Sequence, residues 1–330
     1  MSKLSLTFGC WNYDRTRAIA DGRVVPDGID LNYLDMPVEE TFFRMLRHRE
    51  FDVAEMSLSS YTVSLFREPR RFIAIPVFPS RMFRHSSIYV NAAAGIDAPG
   101  DLVGKRVGCP EYQMTAPAWI RGILSEHHGV PVDSVTYVTG GEESPGRSEK
   151  ITLDLPPSIR VERIGPQQTL ARMLAEGEID ALYTARAPSS FRANDGRVRR
   201  LFADYGRVER DYFRTTGIFP IMHVVALRRD VYEAHRWIAQ SLQKAFVEAQ
   251  QRTYADLRET AALKAMLPWL VEYVEEAEAL MGPDFWPYGF ARNRDTLATF
   301  LRYSHEQGLA GRLLAPEELF APETLESFVI

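Results

Sequence analysis

Three basic side chains lie within five residues, at positions where their types suggest anion binding and proton transfer. Arg81, Arg84 and His85 stand between two apolar, strand-like runs at 72–78 and 87–90. A guanidinium binds a carboxylate through its planar fork, and an imidazole exchanges protons near neutral pH. The bend therefore predicts a site that holds a paired-carboxylate anion and moves a proton beside it. The alternative is a solvated loop between two strands.

Two other ionisable residues occupy apolar, strand-like segments. Glu55 ends the segment FDVAE just before a predicted helix, and His223 lies within PIMHVVAL. Burial among apolar side chains raises the pKa of a carboxyl group, so Glu55 is a candidate acid or base, or a group that orients a histidine. The alternatives are an ion pair between Glu55 and an arginine, and a core histidine at position 223 whose hydrogen bonds are satisfied.

A further set of residues in loop-like contexts is suited to binding a flat anion. Aromatic rings can wall a planar ligand, although the same rings would also plug a hydrophobic core. Arg147 and Lys150 lie in a glycine-containing loop that is either a lid over an anion or a disordered surface loop. Arg186, after a strand, is another candidate anion clamp. The remaining candidate binding residues are Trp11, Tyr13, Ser57, Tyr112, Thr115, Trp286 and Tyr288.

Several kinds of site are not indicated by the sequence. It contains no GxGxxG, GxSxG or HExxH motif, and its two cysteines, Cys10 and Cys109, form no metal-binding or disulfide framework. A divalent metal held by two histidines and Glu55 is an alternative, but the histidine spacing forms no local ligand motif. We therefore expect no cofactor.

The composition argues against nucleic-acid and membrane partners. The formal net charge is −5, with 45% hydrophobic and 25% charged residues, so the chain as a whole does not attract nucleic acid or an anionic membrane. No stretch approaches the roughly 20 apolar residues of a membrane span. The start, MSKLSLTFGCWNYDR, has no apolar run of signal-peptide length. We therefore expect a soluble, cytoplasmic protein.

The pattern of elements predicts an α/β protein with two lobes. Strands at 4–8, 29–34 and 51–56 alternate with helices, and Ser57 is a natural N-cap for a helix at 58–66. A second α/β unit follows, then an apolar return at 217–227 and a helical C-terminal region predicted at 231–258, 260–267, 268–281 and 296–307.

This order is typical of the type II periplasmic-binding-protein-like fold, in which ligand binds in a cleft between lobes. We expect residues 1–90 and 222–330 to form one lobe and residues 91–221 an inserted second lobe. The connecting strands are predicted near 88–91 and 217–224. The bend with Arg81, Arg84 and His85 would then lie near the cleft together with His223.

A set of motifs spread from about Phe51 to Phe320 resembles the 4,5-dihydroxyphthalate decarboxylase family, which is related in fold to periplasmic solute-binding proteins. The motifs are FDVAEMSLSSY, IPVFPSRMFRHSSIYVN, CPEYQMTAPAWIRG, GGEESPGRSEK, GEIDALYTARAP, GIFPIMHVV and MGPDFWPYGFARN. The resemblance implies an aromatic acid decarboxylase of phthalate degradation that converts 4,5-dihydroxyphthalate to protocatechuate. It implies a small aromatic dicarboxylate as substrate and no organic cofactor, because the ring itself accepts the electrons.

The chemistry implied by this resemblance suggests a role for each candidate. Arg81 and Arg84, with Arg147 or Arg186, would bind the carboxylates. His85 and His223 would transfer protons at the ring carbon and at the phenol, and Glu55 would orient a histidine or act as the base. Two alternatives stay open: a cytoplasmic solute-binding or sensor protein without catalysis, and an enzyme of this fold with other chemistry. The sequence does not decide between a monomer and a homo-oligomer.

Overall fold

The strands of the protein form two separate sheets, one of five and one of six strands, within residues 3–326, the part that the computed structural model describes. The strands run in chain order as follows: β1 (Leu4–Cys10), β2 (Ile29–Asp35), β3 (Val53–Ser57), β4 (Phe72–Ile75), β5 (Ile88–Asn91), β6 (Arg106–Cys109), β7 (Thr136–Thr139), β8 (Arg160–Arg163), β9 (Ala181–Tyr183), β10 (Val198–Arg200) and β11 (His223–Arg228).

The helices alternate with the strands and dominate the C-terminal third. None of those in the described part of the chain is long and apolar enough to cross a membrane. They are α1 (Asp14–Ala20), α2 (Val38–His48), α3 (Leu58–Ser64), α4 (Thr115–His128), α5 (Leu170–Glu176), α6 (Ser189–Arg192), α7 (Tyr205–Thr216), α8 (Arg229–Ala234), α9 (Ile238–Arg258), α10 (Leu270–Met281) and α11 (Arg294–Glu306).

The first compact unit contains the five-stranded sheet and is built from three stretches of chain. It comprises the described residues up to Arg81, His223–Leu297, and those from Ala315 on. Its strand order is β2-β1-β3-β11-β4, with β1 parallel to β2 and β3, and β11 antiparallel to β3 and β4. All five residues of β3 are buried. A strand covered on both faces is expected to be apolar throughout, so Glu55 on β3 stands out.

The second compact unit contains the six-stranded sheet. It comprises Met82–Met222 and Ala298–Leu314. Its strand order is β10-β5-β9-β6-β7-β8, with β6 to β9 parallel to one another and β5 antiparallel to β9 and β10. Apolar side chains of the sheet and of α5 form a core cluster of Tyr89, Val138, Leu170, Met173, Leu174, Ile179, Leu182 and Val198.

These unit bounds differ from the predicted lobes in three places. The second unit begins at Met82 rather than at residue 91, it includes residues 298–314, which were expected in the first lobe, and it includes Met222, which was expected in the first lobe too. The reason for the second difference is the packing of α11. Its Phe300 and Tyr303 contact Trp119 of α4 at ring-centroid distances of 5.3 and 5.7 Å. Gly122 permits this approach, because a Cβ at that position would overlap the Tyr303 ring.

Most predicted elements are confirmed, but the helix expected at 260–267 is wrong. Residues 259–269 have no helix, and Met266 and Trp269 are exposed. A segment this short forms a stable helix only if its apolar face is buried, and these side chains are not. The long helix expected at 231–258 is divided into α8 and α9 around His235.

Candidate active site

A direct contact between Glu55 and His223 is the centre of the candidate site in the first unit. On the paired strands β3 and β11, His223 is opposite Ser57 and Val225 is opposite Glu55. Glu55 and His223 are therefore diagonal neighbours on one face of the sheet. Glu55 Oε1 lies 2.5 Å from His223 Nδ1. Phe42 holds the other side of the imidazole in an edge-to-face contact, with ring centroids 4.8 Å apart.

Three more donors surround the Glu55 carboxylate, which is fully buried. The Tyr13 hydroxyl donates to Oε1 at 2.6 Å, the Trp11 backbone N–H donates to Oε2 at 3.1 Å, and the Cys10 thiol donates to Oε2 at 3.5 Å. Burial alone would raise the pKa of Glu55. The charge and hydrogen bond of His223, followed by the hydrogen bonds from Tyr13 and Trp11, nevertheless hold that pKa below its ordinary value. Glu55 is therefore a carboxylate at neutral pH.

An ionised Glu55 determines which nitrogen of His223 carries the proton. The carboxylate accepts the Nδ1–H hydrogen bond, so the neutral imidazole has its lone pair on Nε2. The His223 side chain is 16% exposed, whereas that of Glu55 is 0% exposed. The imidazole is thus the part of the pair that a ligand can reach. This arrangement can remove a proton from a bound molecule and stabilise the resulting imidazolium.

The first unit also holds the other predicted binding residues near its N-terminal loop. Ser57 caps α3 and accepts a hydrogen bond from the Ser60 N–H at 3.4 Å. The Trp286 indole donates to the Phe78 carbonyl oxygen at 2.9 Å. Tyr288 is buried, and burial raises the pKa of its phenol, against the nearby charge of Arg15, which lowers it.

Arg81 belongs to the first unit and is bound to the 287–293 turn. Its buried guanidinium donates to the Pro287 carbonyl oxygen at 2.8 Å and to the Asn293 side-chain oxygen. Asn293 in turn donates to the carbonyl oxygens of Pro287 and Gly289 at 2.9 and 2.7 Å. These contacts order the loop that carries Trp286 and Tyr288, which gives Arg81 a structural role.

Arg84 and His85 belong to the second unit, so the three residues of the bend are divided between the units. Arg84 is buried, and its Nε lies 3.0 Å from Met222 Sδ, while Nη1 donates to the Ala185 carbonyl oxygen at 3.4 Å. His85 is buried too, and among residues 3–326 its Nδ1 has no hydrogen-bond partner. Burial, and then the charges of His128 and His127, lower the pKa of His85 to about 4.

An aromatic cluster encloses His85. Its ring centroid lies 5.2 Å from that of Tyr212, 5.4 Å from that of Phe202 and 6.3 Å from that of His128. His127 also contacts Tyr212, at 5.3 Å. His85, His127 and His128 border a cavity of about 240 Å³ whose other lining residues, Tyr212 among them, come from α7.

The loop that carries Arg147 and Lys150 is anchored rather than a free surface segment. The buried Glu111 carboxylate accepts from Arg147 Nε and Nη2 at 2.9 and 2.6 Å and from the Lys150 backbone N–H at 3.1 Å, and it contacts the Lys150 ammonium. Glu142 accepts a hydrogen bond from Thr184, and Glu143 accepts one from the Ser189 N–H at 2.7 Å. Arg147 and Lys150 are therefore held in place by a carboxylate of this chain.

The other predicted residues of the second unit are distributed around α4 and β9. The Tyr112 hydroxyl donates to the Gln307 carbonyl oxygen at 3.1 Å, and its ring lies 4.0 Å from the Arg121 guanidinium carbon. Thr115 is buried at the start of α4. Arg186 is exposed, and its backbone N–H donates to the Thr184 hydroxyl at 3.3 Å.

Four residues of these clusters were missed from the sequence: Cys10, Arg15, Phe42 and Glu111. Cys10 and Arg15 flank the loop that contains the candidate aromatic residues Trp11 and Tyr13. Their proximity to these aromatics in the sequence could have identified them. Glu111 stands between Pro110 and Tyr112 directly after β6, and a carboxylate at the end of a parallel strand is a usual site position. Phe42 offered no signal beyond its place on an apolar helix face.

Within residues 3–326, no group of three His, Cys, Asp or Glu side chains is arranged to hold a metal ion. Glu55 and His223 contact each other directly instead.

Comparison with known proteins places the chain in a family. No family model matches it. It is 43% identical, over 330 residues and the whole of both chains, to the 4,5-dihydroxyphthalate decarboxylase of Comamonas testosteroni. It is also 46% identical over 214 residues to the 4,5-dihydroxyphthalate decarboxylase of Pseudomonas putida, covering 65% of this chain and 83% of that protein.

Solved structures similar to the protein include ligand-binding components of import systems. The aliphatic sulphonate binding protein SsuA of Escherichia coli matches with a TM-score of 0.54 and 14% identity, covering 98% of this chain and 99% of that one. A ligand-binding component of a Staphylococcus aureus ABC-type import system matches with a TM-score of 0.57 and 11% identity, covering 98% of each chain. These matches confirm the predicted fold class, and the full-length identity shows that the chain belongs to the 4,5-dihydroxyphthalate decarboxylase family.

Proposed function

We propose that this protein is a carboxy-lyase that converts 4,5-dihydroxyphthalate and one proton to protocatechuate and CO₂. We infer the reaction and the aromatic dicarboxylate substrate from membership of the family. The observation that carries the mechanism is the hydrogen bond between Glu55 Oε1 and His223 Nδ1, at 2.5 Å. It supplies an oriented base.

The first step is removal of a phenolic proton. His223 Nε2 accepts the proton from the hydroxyl that is para to the leaving carboxylate, and the phenolate pushes electron density to the ring carbon that bears this carboxylate. The buried Glu55 carboxylate stabilises the imidazolium that forms, because opposite charges attract strongly where water is excluded. Glu55 is thus a positioning residue that acts through His223.

The second step is protonation of the ring carbon that bears the leaving carboxylate. The carbon–carboxylate bond then breaks, its electron pair returns to the ring, and CO₂ departs as aromaticity is restored. This carbon and the phenol oxygen lie at opposite ends of the ring, so the carbon needs a proton donor other than His223. The sequence-based hypothesis named His85 and His223 for the two proton transfers without deciding which of them is the acid, and His85 is the candidate that is left for this role. Burial lowers the pKa of His85 to about 4, so this imidazole is neutral at neutral pH and can act as the donor only after it has taken up a proton.

A turnover assay with two histidine variants tests this function. Chelator-treated protein is incubated with 4,5-dihydroxyphthalate, and protocatechuate and CO₂ are measured together. The wild type is expected to form both in equal amounts, and His223→Ala to lose turnover by roughly 10²–10⁴-fold while it still binds substrate. Recovery of bound substrate unchanged would instead support a solute-binding protein. Turnover by His223→Ala at the wild-type rate would remove His223 as the base, and the same result for His85→Ala would remove His85 as the acid.

The proposal extends to the cellular location and the assembly of the protein. Cys10 and Cys109 are both free thiols, which suits the reducing cytoplasm, where we place the protein. Cell fractionation with an antibody checks this location. A homo-oligomer stays one of the alternatives for its assembly, and light scattering of the purified protein measures it.

A further inference from the structure

Arg15 is held rigidly beside the Glu55–His223 pair. It is the second residue of α1, and its guanidinium carbon lies 4.1 Å from the Tyr13 ring centroid and 4.2 Å from the Trp286 ring centroid. Its Nε also donates to the Pro79 carbonyl oxygen at 2.5 Å. A guanidinium between two rings and a carbonyl group has already lost the side-chain entropy that binding would otherwise cost.

Part of the Arg15 guanidinium is available to a ligand. Nη1 donates to Asp14 Oδ1 at 2.9 Å, and the Asp14 side chain is 50% exposed, so water competes for this contact. Among residues 3–326, Nη2 makes no hydrogen bond. The guanidinium therefore presents N–H groups in a fixed direction, and a carboxylate is the group that they fit.

Tyr13 connects this arginine to the proton-transfer pair. Its ring packs against Arg15, and its hydroxyl donates to Glu55 Oε1 at 2.6 Å and lies 3.5 Å from His223 Nδ1. Arg15 and His223 thus approach the same side chain, Arg15 at the Tyr13 ring and His223 at the Tyr13 hydroxyl. In the proposed substrate, the hydroxyl that His223 deprotonates is para to the leaving carboxylate and meta to the retained one, so the retained carboxylate lies within the width of one ring of that hydroxyl.

We propose that Arg15 is a specificity-determining residue that binds the carboxylate which stays on the aromatic ring. This inference rests on the proposed decarboxylase function. The leaving carboxylate loses its charge as CO₂ forms, so an arginine that held it would stabilise the ground state more than the transition state. The other carboxylate keeps its charge throughout, and binding it orients the ring without opposing the reaction.

The proposal is tested with three molecules that differ in their carboxylates. The substrate has two, protocatechuate has one, and catechol has none. For Arg15→Met we expect the KM for 4,5-dihydroxyphthalate and the inhibition constant of protocatechuate to rise by the same factor, roughly 10–100-fold. The inhibition constant of catechol should stay within about twofold. Arg17→Met is the matched control, because Arg17 is exposed on the same helix and its loss changes the net charge equally.

Other outcomes would overturn the proposal. If Arg15→Met lowers kcat and leaves the protocatechuate constant unchanged, Arg15 only supports Tyr13. Arg15→Lys keeps the positive charge and removes the planar fork of the guanidinium. It replaces Arg15→Met if the methionine variant melts at a lower temperature than the wild type. It should also weaken the binding of protocatechuate and leave the binding of catechol unchanged. Calorimetric binding of protocatechuate and catechol gives the same comparison without turnover. A wild type that fails to decarboxylate would therefore refute the proposed function and still leave the role of Arg15 measurable.

Discussion

Glu55 and His223 lie 168 positions apart in the sequence, yet their side chains meet at 2.5 Å because β3 and β11 are antiparallel neighbours. The contact joins a fully buried carboxylate to an imidazole that reaches the surface. In this pair the carboxylate fixes the tautomer of the histidine, and the imidazole transfers the proton. The same pair also explains why a charged residue is tolerated on the buried strand β3.

Replacement of Glu55 by glutamine should impair chemistry more than binding. The amide no longer stabilises the imidazolium, and its NH₂ group favours the wrong tautomer of His223. We expect Glu55→Gln to lower kcat by roughly 10²–10⁴-fold and to change KM by only a few-fold, as measured from initial rates.

Glu50→Gln is the matched control for this variant. Glu50 is exposed and pairs with Arg44, so its replacement should leave kcat unchanged. A kcat for Glu55→Gln within a few-fold of the wild type would show that His223 does not depend on the carboxylate.

Removal of the Tyr13 hydroxyl should shift the pH dependence of activity. Burial raises the pKa of Glu55, and the charge and hydrogen bond of His223 lower it. The hydrogen bond from the Tyr13 hydroxyl lowers this pKa further, by a smaller amount. In Tyr13→Phe the carboxylate loses this donor, so its pKa rises and the protein loses the ionised Glu55 at a higher pH. We expect the acidic limb of the kcat/KM profile to move to higher pH and kcat/KM at neutral pH to fall by roughly tenfold.

Tyr273→Phe provides the control for the loss of a phenol hydroxyl. Tyr273 is 48% exposed on α10, and its replacement should leave the profile in place. An unshifted acidic limb in Tyr13→Phe would show that activity does not depend on the ionisation of Glu55.

Glu111 should be needed to keep the Arg147 loop ordered. Its side chain is 1% exposed, while the side chains of Arg147 and Lys150 are 22% and 11% exposed. Glu111→Gln removes the buried negative charge that pairs with both cations, so we expect a loss of about 1–3 kcal/mol in the free energy of unfolding. Amide hydrogen exchange of residues 142–150 should become faster.

Glu162→Gln is the control in the same unit. Glu162 pairs with Arg106, but the two side chains are 53% and 45% exposed, and exposed pairs add little stability. Equal unfolding free energies for the two variants would mean that the Glu111 contacts do not hold the loop.

The elements were predictable from the sequence where one residue pattern determines them. Alternating apolar runs located the strands, and Ser57 was recognised as a helix cap, which its bond to the Ser60 N–H confirms. Glu55 and His223 were selected because each is polar within an apolar strand. Their direct contact could not be predicted, because it depends on the register of two strands far apart in the chain.

Sequence proximity was a weaker guide than strand order. Arg81, Arg84 and His85 are close in sequence, but Arg81 belongs to the first unit and the other two to the second. Arg15 was overlooked because an arginine at a helix start is ordinary. What distinguishes it is the Trp286 ring on its other side, which arrives from a distant part of the chain. Local patterns contain no information about such long-range contacts.

Glu149 should make the stability of the protein fall as pH rises. Burial raises the pKa of this carboxyl from its ordinary value of 4.5 to about 7, although the hydrogen bond from the Tyr112 N–H opposes the shift. The folded state therefore binds a proton that the unfolded state releases. The contribution is fully present below about pH 4.5 and is lost as the pH rises through about 7.

Glu149→Gln isolates this effect, because glutamine resembles the protonated carboxyl and still accepts the Tyr112 hydrogen bond. Urea unfolding at pH 4.5 should give similar stabilities for wild type and variant. At pH 8 the variant should be more stable, by on the order of 2 kcal/mol. Glu162→Gln, an exposed glutamate in the same unit, should show the wild-type pH dependence. A Glu149→Gln variant whose stability changes with pH as the wild type's does would place the titrating group elsewhere, because an amide at position 149 does not titrate.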